Sequence, residues 1–368
     1  MKRYKNIIIG AGITGLTLAE RLASKGEKVL IMEKRNHIGG NCFDFFDKEG
    51  NYIQKYGPHI FHTKYKEVWD YLSKFTEWNN YEHKVIGKVK NKLVPIPFNF
   101  ESIDILFNKE KAEHLKKILE KEYGLNKKVP ILELKKNKNI EIKKLAEFAY
   151  ENIFLNYTMK QWDLKPEEID PSVTARVPVM VGYDNRYFQD KYQGIPSEGF
   201  TKIFQKMILN PLIEIRLGWD YKKIISNYKY DKLFYTGPLD YYFDYKFGKI
   251  KYRKISSKYK RINKTSYQSN SVINYPAKEE KFTRITEFNK FLNIKNHSTI
   301  IMKEYPSWKK GFQAYPLKTE KNQKIIDNYL NKTKKLIDVV FIGRLAECKY
   351  YNIDEVIKEV FKIIKNGK

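Results

Sequence analysis

The first forty residues alternate between apolar runs and an amphipathic segment. Residues 6–9 form a β-branched run that ends at a glycine, which is typical of a buried parallel strand. Apolar residues then recur at helical spacing from Thr14 to Lys25, and Gly26 ends this pattern. A second apolar run covers residues 29–32. The pattern predicts a β-α-β crossover unit of a doubly wound sheet.

The rest of the chain changes from helical to strand-like periodicity, with aromatic-rich segments and turn signals after Pro171. The predicted helices are 65–75, 104–123, 142–156 and 354–365. The predicted strands are one ending at 234–238, then 271–275, 298–303 and 339–343. We therefore expect several separated segments to contribute strands to one sheet, with helical and mixed material inserted between them.

Charge changes this picture little. The 368 residues carry a net charge of +27, from 70 Lys and Arg against 43 Asp and Glu. Such an excess is typical of nucleic-acid or membrane-surface binders, but the basic residues are mostly lysines scattered singly along the chain. The densest stretch, 126–138, is expected to be a solvent-facing helix or loop. We expect no nucleic-acid partner. The positive field favours a small anionic substrate, and a nucleotide would qualify.

Cysteine content and hydropathy suggest the compartment. Cys42 and Cys348 are too few for a disulfide framework, and no CxxC spacing suggests a metal site. Glycines interrupt the N-terminal apolar run, unlike the core of a secretory signal. No stretch reaches the roughly 18 apolar residues of a membrane span. We expect a cytoplasmic protein without membrane insertion.

A GxGxxG motif joins the first strand to the first helix. Gly10 permits a tight turn, Gly12 lets a pyrophosphate approach the backbone, and Gly15 lets the helix pack on the strand. The amides at the helix N-terminus, beginning near Thr14, favour phosphate binding. Glu33 ends the second strand, where an acid accepts the ribose hydroxyls and disfavours a 2′-phosphate. The motif predicts a bound dinucleotide other than NADP.

A second glycine pair distinguishes FAD from NAD. Lys34, Gly39, Gly40 and Asn41 follow Glu33 closely, and this segment resembles the second phosphate loop of glutathione-reductase-type flavoproteins, including the amine oxidases. Late in the chain, Gly343 and Arg344 stand where that family returns a strand to the flavin. The resemblance implies an α/β fold with a Rossmann-like FAD-binding domain of this type, an inserted helical domain and a mixed antiparallel-sheet domain.

Further motifs resemble one family across nearly the whole chain, the bacterial UDP-galactopyranose mutases. The matching segments are 56–63, 157–162, 176–179, 184–188, 192–196, 235–238, 283–287, 303–305 and 343–347. The resemblance implies interconversion of UDP-galactopyranose and UDP-galactofuranose through a covalent adduct between N5 of reduced FAD and sugar C1. It also implies a homodimer whose products enter cell-surface polysaccharides.

The same resemblance assigns three domains. The FAD-binding domain is expected to combine 1–80, 200–240 and 335–368. A helical domain for substrate binding and dimerisation is expected at 100–165. The mixed sheet domain is expected to combine 80–100, 175–200 and 245–330.

Individual roles follow from the family motifs. His59 would lie against the flavin, and Arg176 and Arg284 would act in catalysis. The expected substrate contacts are Tyr157 and Trp162 for the uracil ring, Tyr187, Tyr315, Tyr350 and Arg344 for the diphosphate, and Asn274 and Glu304 in the pocket. His59, Gly343, Arg344 and Asp354 complete the expected cofactor contacts.

Three positions depart from the family pattern. Asn352 replaces a usual aspartate, Met180 replaces an arginine, and Phe288 replaces a histidine. We expect these changes to spare the flavin site and to alter the sugar pocket. An N-acetyl group on C2 of the sugar is therefore an open alternative.

Two other functions compete with the mutase interpretation. An amine-oxidase-like or desaturase-like flavoprotein shares the N-terminal motifs but does not explain the segment from Tyr157 to Trp162 or the arginine-containing segments. A nucleic-acid or membrane-surface binder would explain the charge, and it would bind DNA in a salt-sensitive way without a flavin chromophore.

Overall fold

A computed structural model describes residues 2–163, 178–317 and 319–367. The strands, numbered in chain order, are β1 (Lys2–Ile9), β2 (Val29–Glu33), β3 (Asp44–Phe46), β4 (Tyr52–Gln54), β5 (Phe61–Thr63), β6 (Val85–Val89), β7 (Lys92–Ile96), β8 (Lys127–Val129), β9 (Val179–Val181), β10 (Tyr192–Gly194), β11 (Ile213–Leu217), β12 (Tyr228–Tyr235), β13 (Tyr252–Ile262), β14 (Val272–Asn274), β15 (Arg284–Glu287), β16 (Thr299–Ser307), β17 (Phe312–Pro316) and β18 (Val339–Phe341).

The α-helices, numbered in the same way, are α1 (Ile13–Ala23), α2 (Lys66–Ser73), α3 (Phe100–Leu106), α4 (Lys109–Tyr123), α5 (Ile131–Leu134), α6 (Ile140–Ala149), α7 (Asn156–Trp162), α8 (Phe200–Met207), α9 (Leu239–Tyr242), α10 (Glu320–Thr333) and α11 (Ile353–Lys365). A π-helical segment, Tyr150–Leu155, joins α6 directly to α7.

The first layer is a five-stranded parallel sheet in the order β11-β2-β1-β12-β18. Its apolar runs are buried because helices cover them: Ile8 and Ile31 pack in one core with Leu16 of α1 and with Ile357 and Val360 of α11. This arrangement confirms the predicted doubly wound unit. The carboxyl ends of β1, β2, β12 and β18 meet at one edge, where open α/β sheets bind ligands.

The second sheet has seven strands in the order β17-β13-β16-β15-β14-β6-β7. Every pair is antiparallel except β14 with β6, so the predicted mixed sheet is confirmed. Its side chains Val94, Val272 and Met302 share a core with the helices α3 to α6. The helical insertion is therefore packed on this sheet, which fixes where α7 can lie.

The helical region differs from the prediction in two places. The single helix expected over 104–123 is wrong: α3 ends at Leu106 and α4 begins at Lys109. The break occurs because the side chain of Asn108 accepts a hydrogen bond from the amide of Lys111 and caps α4. The helix expected over 142–156 also changes pitch, because the π-helical turn intervenes before α7.

The lysine-dense stretch 126–138 is also more ordered than expected. Residues Lys127 to Val129 form β8, which pairs antiparallel with β9, so the expectation of helix or loop is wrong there. The two lysine side chains of β8 are exposed while Val129 is buried. The burial of Val129 and the pairing of β8 with β9 stabilise this strand despite the charges of its two lysines.

Candidate functional site

A cavity of about 1130 Å³ opens at the carboxyl ends of β1, β2 and β12. Much of its wall comes from positions predicted from the sequence. The predicted residues that line it are Gly10, Gly12, Thr14, Glu33, Lys34, Gly39, Gly40, Asn41, His59 and Arg344. The sequence motifs from both ends of the chain therefore meet at one place.

Two glycine loops form the floor of this cavity. A Cβ on Gly15 would lie 2.0 Å from the carbonyl oxygen of Gly10, so only glycine allows α1 to start this close to β1. A Cβ on Gly40 would lie 2.8 Å from the Cα of Gly12, and the Gly39 amide donates to the Ala11 carbonyl at 2.7 Å. The loops thus pack backbone to backbone. Since no side chain caps the N-terminus of α1, the first amides of the helix can bind a diphosphate.

Glu33 holds a fixed orientation at the end of β2. One of its carboxylate oxygens accepts from the Ala11 amide and the other from the Arg35 amide, each at 2.8 Å. The side chain still borders the cavity. Its remaining lone pairs can accept hydroxyl donors such as those of a ribose.

The wall beside Glu33 contains residues that the sequence interpretation missed. Trp219 and Asp220 follow β11, and the Trp219 amide donates to the Glu33 carbonyl at 2.9 Å. Asp220 accepts from the Tyr241 hydroxyl at 2.6 Å and from Lys34 at 3.0 Å. The alternation of apolar residues in β11 could have revealed this strand, whose carboxyl end lies next to that of β2.

His59 lies in a turn that strand residues hold rigidly. Its amide donates to Oε1 of Gln54 at 2.6 Å, and Nε2 of Gln54 donates back to the His59 carbonyl at 3.0 Å. Nδ1 of the ring donates to the Gly57 carbonyl at 2.9 Å. Burial, followed by the positive charge of Arg344, lowers the pKa of His59 from 6.5 to about 4. The ring is therefore neutral at pH 7, with Nε2 as its acceptor nitrogen.

Three predicted residues from separate segments form one row across the second sheet. Asn274 of β14 pairs with Arg284 of β15, and Arg284 pairs with Glu304 of β16. Directly paired residues point to the same face of a sheet. The Arg284 guanidinium donates to both carboxylate oxygens of Glu304, which is 1% exposed. Gly57 covers this pair, because a Cβ there would lie 3.1 Å from Oε1 of Glu304.

The predicted aromatic residues occupy several elements. Tyr157 and Trp162 stand at opposite ends of α7. Tyr187 contacts the rings of His83 and Phe188 edge to face, at centroid distances of 5.6 and 5.0 Å. The Arg344 guanidinium lies 5.0 Å from the ring centroid of Tyr350, beside the cavity. The structure therefore brings Arg344 and His59 to the cavity wall, with Tyr350 next to Arg344.

Gly15, Gly343 and Asp354 do not line the cavity. Gly15 packs on the Gly10 carbonyl, and a Cβ on Gly343 would meet Oγ1 of Thr14 at 2.9 Å, so both act through close packing. Asp354 is buried in the first turn of α11, where burial raises the pKa of its carboxyl against a hydrogen bond from Thr63. Arg176 and the side chain of Tyr315 lie outside the described residues.

The three departures from the family pattern have different surroundings. Met180 is 3% exposed and Phe288 is fully buried among apolar residues, and neither lines the cavity. The expectation that these two replacements alter the sugar pocket stays a prediction. Asn352 does border the cavity, at the N-terminus of α11, and its amide donates to Glu355 at 2.7 Å in a capping box.

Comparisons with known proteins agree with this geometry. The profile of the GLF family, UDP-galactopyranose mutase, matches residues 152–350, and an NAD(P)-binding Rossmann-like domain matches residues 8–75. The dTDP-fucopyranose mutase of Escherichia coli is 33% identical, covering 99% of both chains. The UDP-galactopyranose mutase of Mycoplasma genitalium is 34% identical, covering 95% of this chain and 91% of the relative.

Solved structures share the fold. The crystal structure of a reduced UDP-galactopyranose mutase gives a TM-score of 0.69 at 18% identity, covering 99% of this chain and 95% of the other. A redesigned putrescine oxidase gives 0.58 at 9% identity, covering 99% and 98%. At these identities the likeness concerns the fold alone.

The two glycine loops, Glu33 and the parallel sheet define an FAD-binding protein, with a fold that a putrescine oxidase shares. Within that class the match is specific. The chain belongs to the UDP-galactopyranose mutase family, and it is an isomerase of the mutase type. In residues 2–163, 178–317 and 319–367, no helix has both the length and the apolar composition needed to cross a bilayer.

Proposed function

We propose that this enzyme interconverts UDP-galactopyranose and UDP-galactofuranose and that it requires FAD in the reduced form. The observation that carries the proposal is the Asn274–Arg284–Glu304 row beside His59 and the FAD cavity, in a chain of this family. When bound and reduced, the flavin supplies a nucleophilic nitrogen for the anomeric carbon and returns its electrons unspent. The residues of the chain must bind, orient and shield the substrate.

Arginines would bind the diphosphate. UDP leaves the anomeric carbon as an anion, and guanidinium groups are suited to stabilise its phosphates by paired hydrogen bonds. Arg284 and Arg344 both act electrostatically on His59, so their positive charges reach the same region. Glu304 fixes the guanidinium plane of Arg284 through two hydrogen bonds. Arg176, outside the described residues, is proposed as the third cation.

His59 would accept and release a proton near the reacting centre. Its Nδ1 is committed to the Gly57 carbonyl, so Nε2 is the nitrogen that can accept a proton or a hydrogen bond. Because its pKa is about 4, a proton taken up at neutral pH is released readily. Burial, and then the positive charges of Arg344 and Arg284, lower this pKa and so disfavour the charged form of the ring.

The uracil ring would contact Tyr157 and Trp162 on α7, where flat aromatic surfaces give affinity at a small entropic cost. Tyr187, Tyr315 and Tyr350 are proposed to hydrogen-bond the diphosphate. These roles rest on family motifs, and the hydrogen bonds from Arg253 of β13 to the end of α7, which hold this helix against the second sheet, support them.

A second candidate substrate is dTDP-fucopyranose, because the Escherichia coli relative of that name covers 99% of the chain at 33% identity. UDP-N-acetylgalactosamine is a third. All three are pyrimidine nucleotide sugars, so the same arginines and aromatic residues serve each of them.

The test is turnover of UDP-galactofuranose, dTDP-fucofuranose and UDP-N-acetylgalactofuranose by dithionite-reduced enzyme, with the products separated chromatographically. The proposal expects the highest kcat/KM for UDP-galactofuranose. A preference for dTDP-fucofuranose would reassign the substrate within the mutase class. Oxidation of an amine by the enzyme, with no nucleotide-sugar turnover, would replace the mutase by an oxidase.

A cytoplasmic homodimer without a nucleic-acid partner completes the proposal. Light scattering of the holoenzyme checks the dimer, and a DNA mobility shift at physiological salt checks the absence of nucleic-acid binding. A monomer at working concentration would contradict the first expectation.

A further inference from the structure

The C-terminal half of α7 has an unusual attachment to the second sheet. The ammonium group of Lys160 donates to three backbone carbonyls, those of Tyr275 at 2.7 Å, Ala277 at 2.6 Å and Phe282 at 3.1 Å. All three belong to the segment that joins β14 to β15. One side chain thus satisfies three carbonyls of one loop and ties that loop to a helix more than 110 residues away.

This contact is chemically specific to lysine. An ammonium has three donors that rotate about one bond, whereas the guanidinium of arginine is a planar fork. Burial lowers the pKa of Lys160, opposed by the charges of Glu280 and Glu279. Because desolvating a charge is costly, the carbonyl contacts must provide the compensation.

The two connected elements carry the residues expected to meet opposite ends of one ligand. α7 carries Tyr157 and Trp162. The loop bound by Lys160 lies between Asn274 and Arg284, which form part of the row with Glu304. The loop itself is closed at its base, where the Tyr275 amide donates to the Thr283 carbonyl at 2.8 Å.

Arg253 of β13 fixes the end of the same helix. Its Nε donates to the Gln161 carbonyl at 2.7 Å and its Nη2 to the Lys160 carbonyl at 3.3 Å. These are carbonyls that the last turn of a helix leaves without helical partners. The residue is 3% exposed. Arg253 therefore fixes the end of α7 to the second sheet, while Lys160 fixes the same helix to the loop.

We propose that Lys160 is a positioning residue that sets the distance between α7 and the 275–282 loop, so that one nucleotide sugar can contact both at once. The inference rests on the proposed function for the identity of the ligand. Its structural part, the tie between two segments, stands on the contacts of Lys160 alone. Lys160 itself needs no contact with the substrate.

The test compares the holoenzyme variants Lys160→Met and Lys160→Arg with Lys144→Met, which changes an exposed lysine of α6. Lys160→Met is expected to raise the Kd of UDP-galactose at least tenfold while changing the Kd of UMP, which carries the uracil proposed to contact α7 but no sugar, less than threefold. Lys160→Arg should raise the Kd of UDP-galactose less than Lys160→Met does. Lys144→Met should have the same Kd values as the parent enzyme. Equal losses for UMP and UDP-galactose, or no loss for either, would overturn the proposal.

Hydrogen exchange gives a readout that does not depend on the ligand. In Lys160→Met, amides of 156–162 and of 275–283 should exchange faster together, with the α1 amides and the flavin content unchanged. Faster exchange in only one of these segments would contradict the proposal that Lys160 couples α7 to the 275–282 loop. Failure of the parent enzyme to bind UDP-galactose would instead refute the proposed function and leave this arm of the test intact.

Discussion

The FAD cavity and the Asn274–Arg284–Glu304 row are built in opposite ways. The floor of the cavity comes from β1, α1 and β2 together with the glycine pair that follows, all within the first 41 residues. The row requires three strands, one of which begins at Thr299, to align in register. One region is specified by a local turn, and the other by long-range pairing.

The difference shows how proteins of one fold can share a cofactor site and still catalyse different reactions. Close backbone packing at Gly15 and Gly40 leaves no room for a side chain. These two positions are therefore restricted to glycine by the fold of the cavity, whichever reaction the enzyme catalyses. The row depends on a few polar side chains over an apolar core, and those side chains can change without loss of the fold.

The largest effect is expected for Gly15→Ala. The added Cβ would lie 2.0 Å from the Gly10 carbonyl oxygen, so α1 must move away from β1. We expect loss of bound FAD and a fall of about 3 kcal/mol in the free energy of unfolding, measured by flavin absorbance and chemical denaturation.

Gly12→Ala is the matched control, because its Cβ would meet Gly40 Cα at an ordinary 3.8 Å. Its fold should persist, with at least a tenfold weaker Kd for FAD, since only a bound pyrophosphate needs that space. Equal destabilisation of both variants would show that the two glycines serve packing alone.

The next effect concerns the row. In Glu304→Gln the side chain keeps its shape but loses the charge and one of the two acceptors for Arg284. We expect kcat/KM to fall about a hundredfold, corresponding to about 2.7 kcal/mol, with full FAD occupancy in steady-state assays of reduced enzyme.

Glu320→Gln, which changes an exposed carboxylate of α10, should leave kcat/KM unchanged. If Glu304→Gln lost FAD, the result would contradict the claim that the row acts in the reaction and is not needed for binding the cofactor.

An acid-dependent loss of stability should follow from two buried histidines. Burial lowers the pKa of His59 to about 4 and that of His83 to about 3, from 6.5. Between pH 6.5 and 4 the unfolded chain binds protons that the native protein does not, so stability falls as pH falls, by at most about 1.4 kcal/mol per pH unit for each histidine.

Denaturation curves across this range measure the slope, and His83→Asn should reduce it by up to half. The same slope in the variant and the parent would show that His83 does not contribute.

The smallest effect is expected for Asn352→Asp. Asparagine and aspartate are about equally good N-caps, so the stability of α11 should change by less than about 0.5 kcal/mol, as measured by denaturation. A larger loss would mean that a negative charge is unfavourable at this part of the cavity.

The sequence predicted the local β-α-β unit because its determinants are adjacent. The glycines, the apolar runs and Glu33 lie within one crossover unit, and each has a geometric reason that does not depend on distant residues. Trp219 and Asp220 were missed for the opposite reason. They reach the cavity only because β11 pairs with β2 in one particular register.

The row was predicted residue by residue from family motifs, but its alignment was not. No local pattern at Asn274, Arg284 or Glu304 indicates that β14, β15 and β16 are neighbours in the sheet. Similarly, the break between α3 and α4 depended on one capping side chain, Asn108, which a periodicity of apolar residues does not detect.

The most direct test of the central claim is turnover of UDP-galactofuranose by the purified holoenzyme, with and without prior reduction by dithionite. We expect conversion to UDP-galactopyranose only after reduction, with no net consumption of reductant per turnover. Equal turnover with oxidised FAD would contradict it, as would consumption of one reducing equivalent for each product formed.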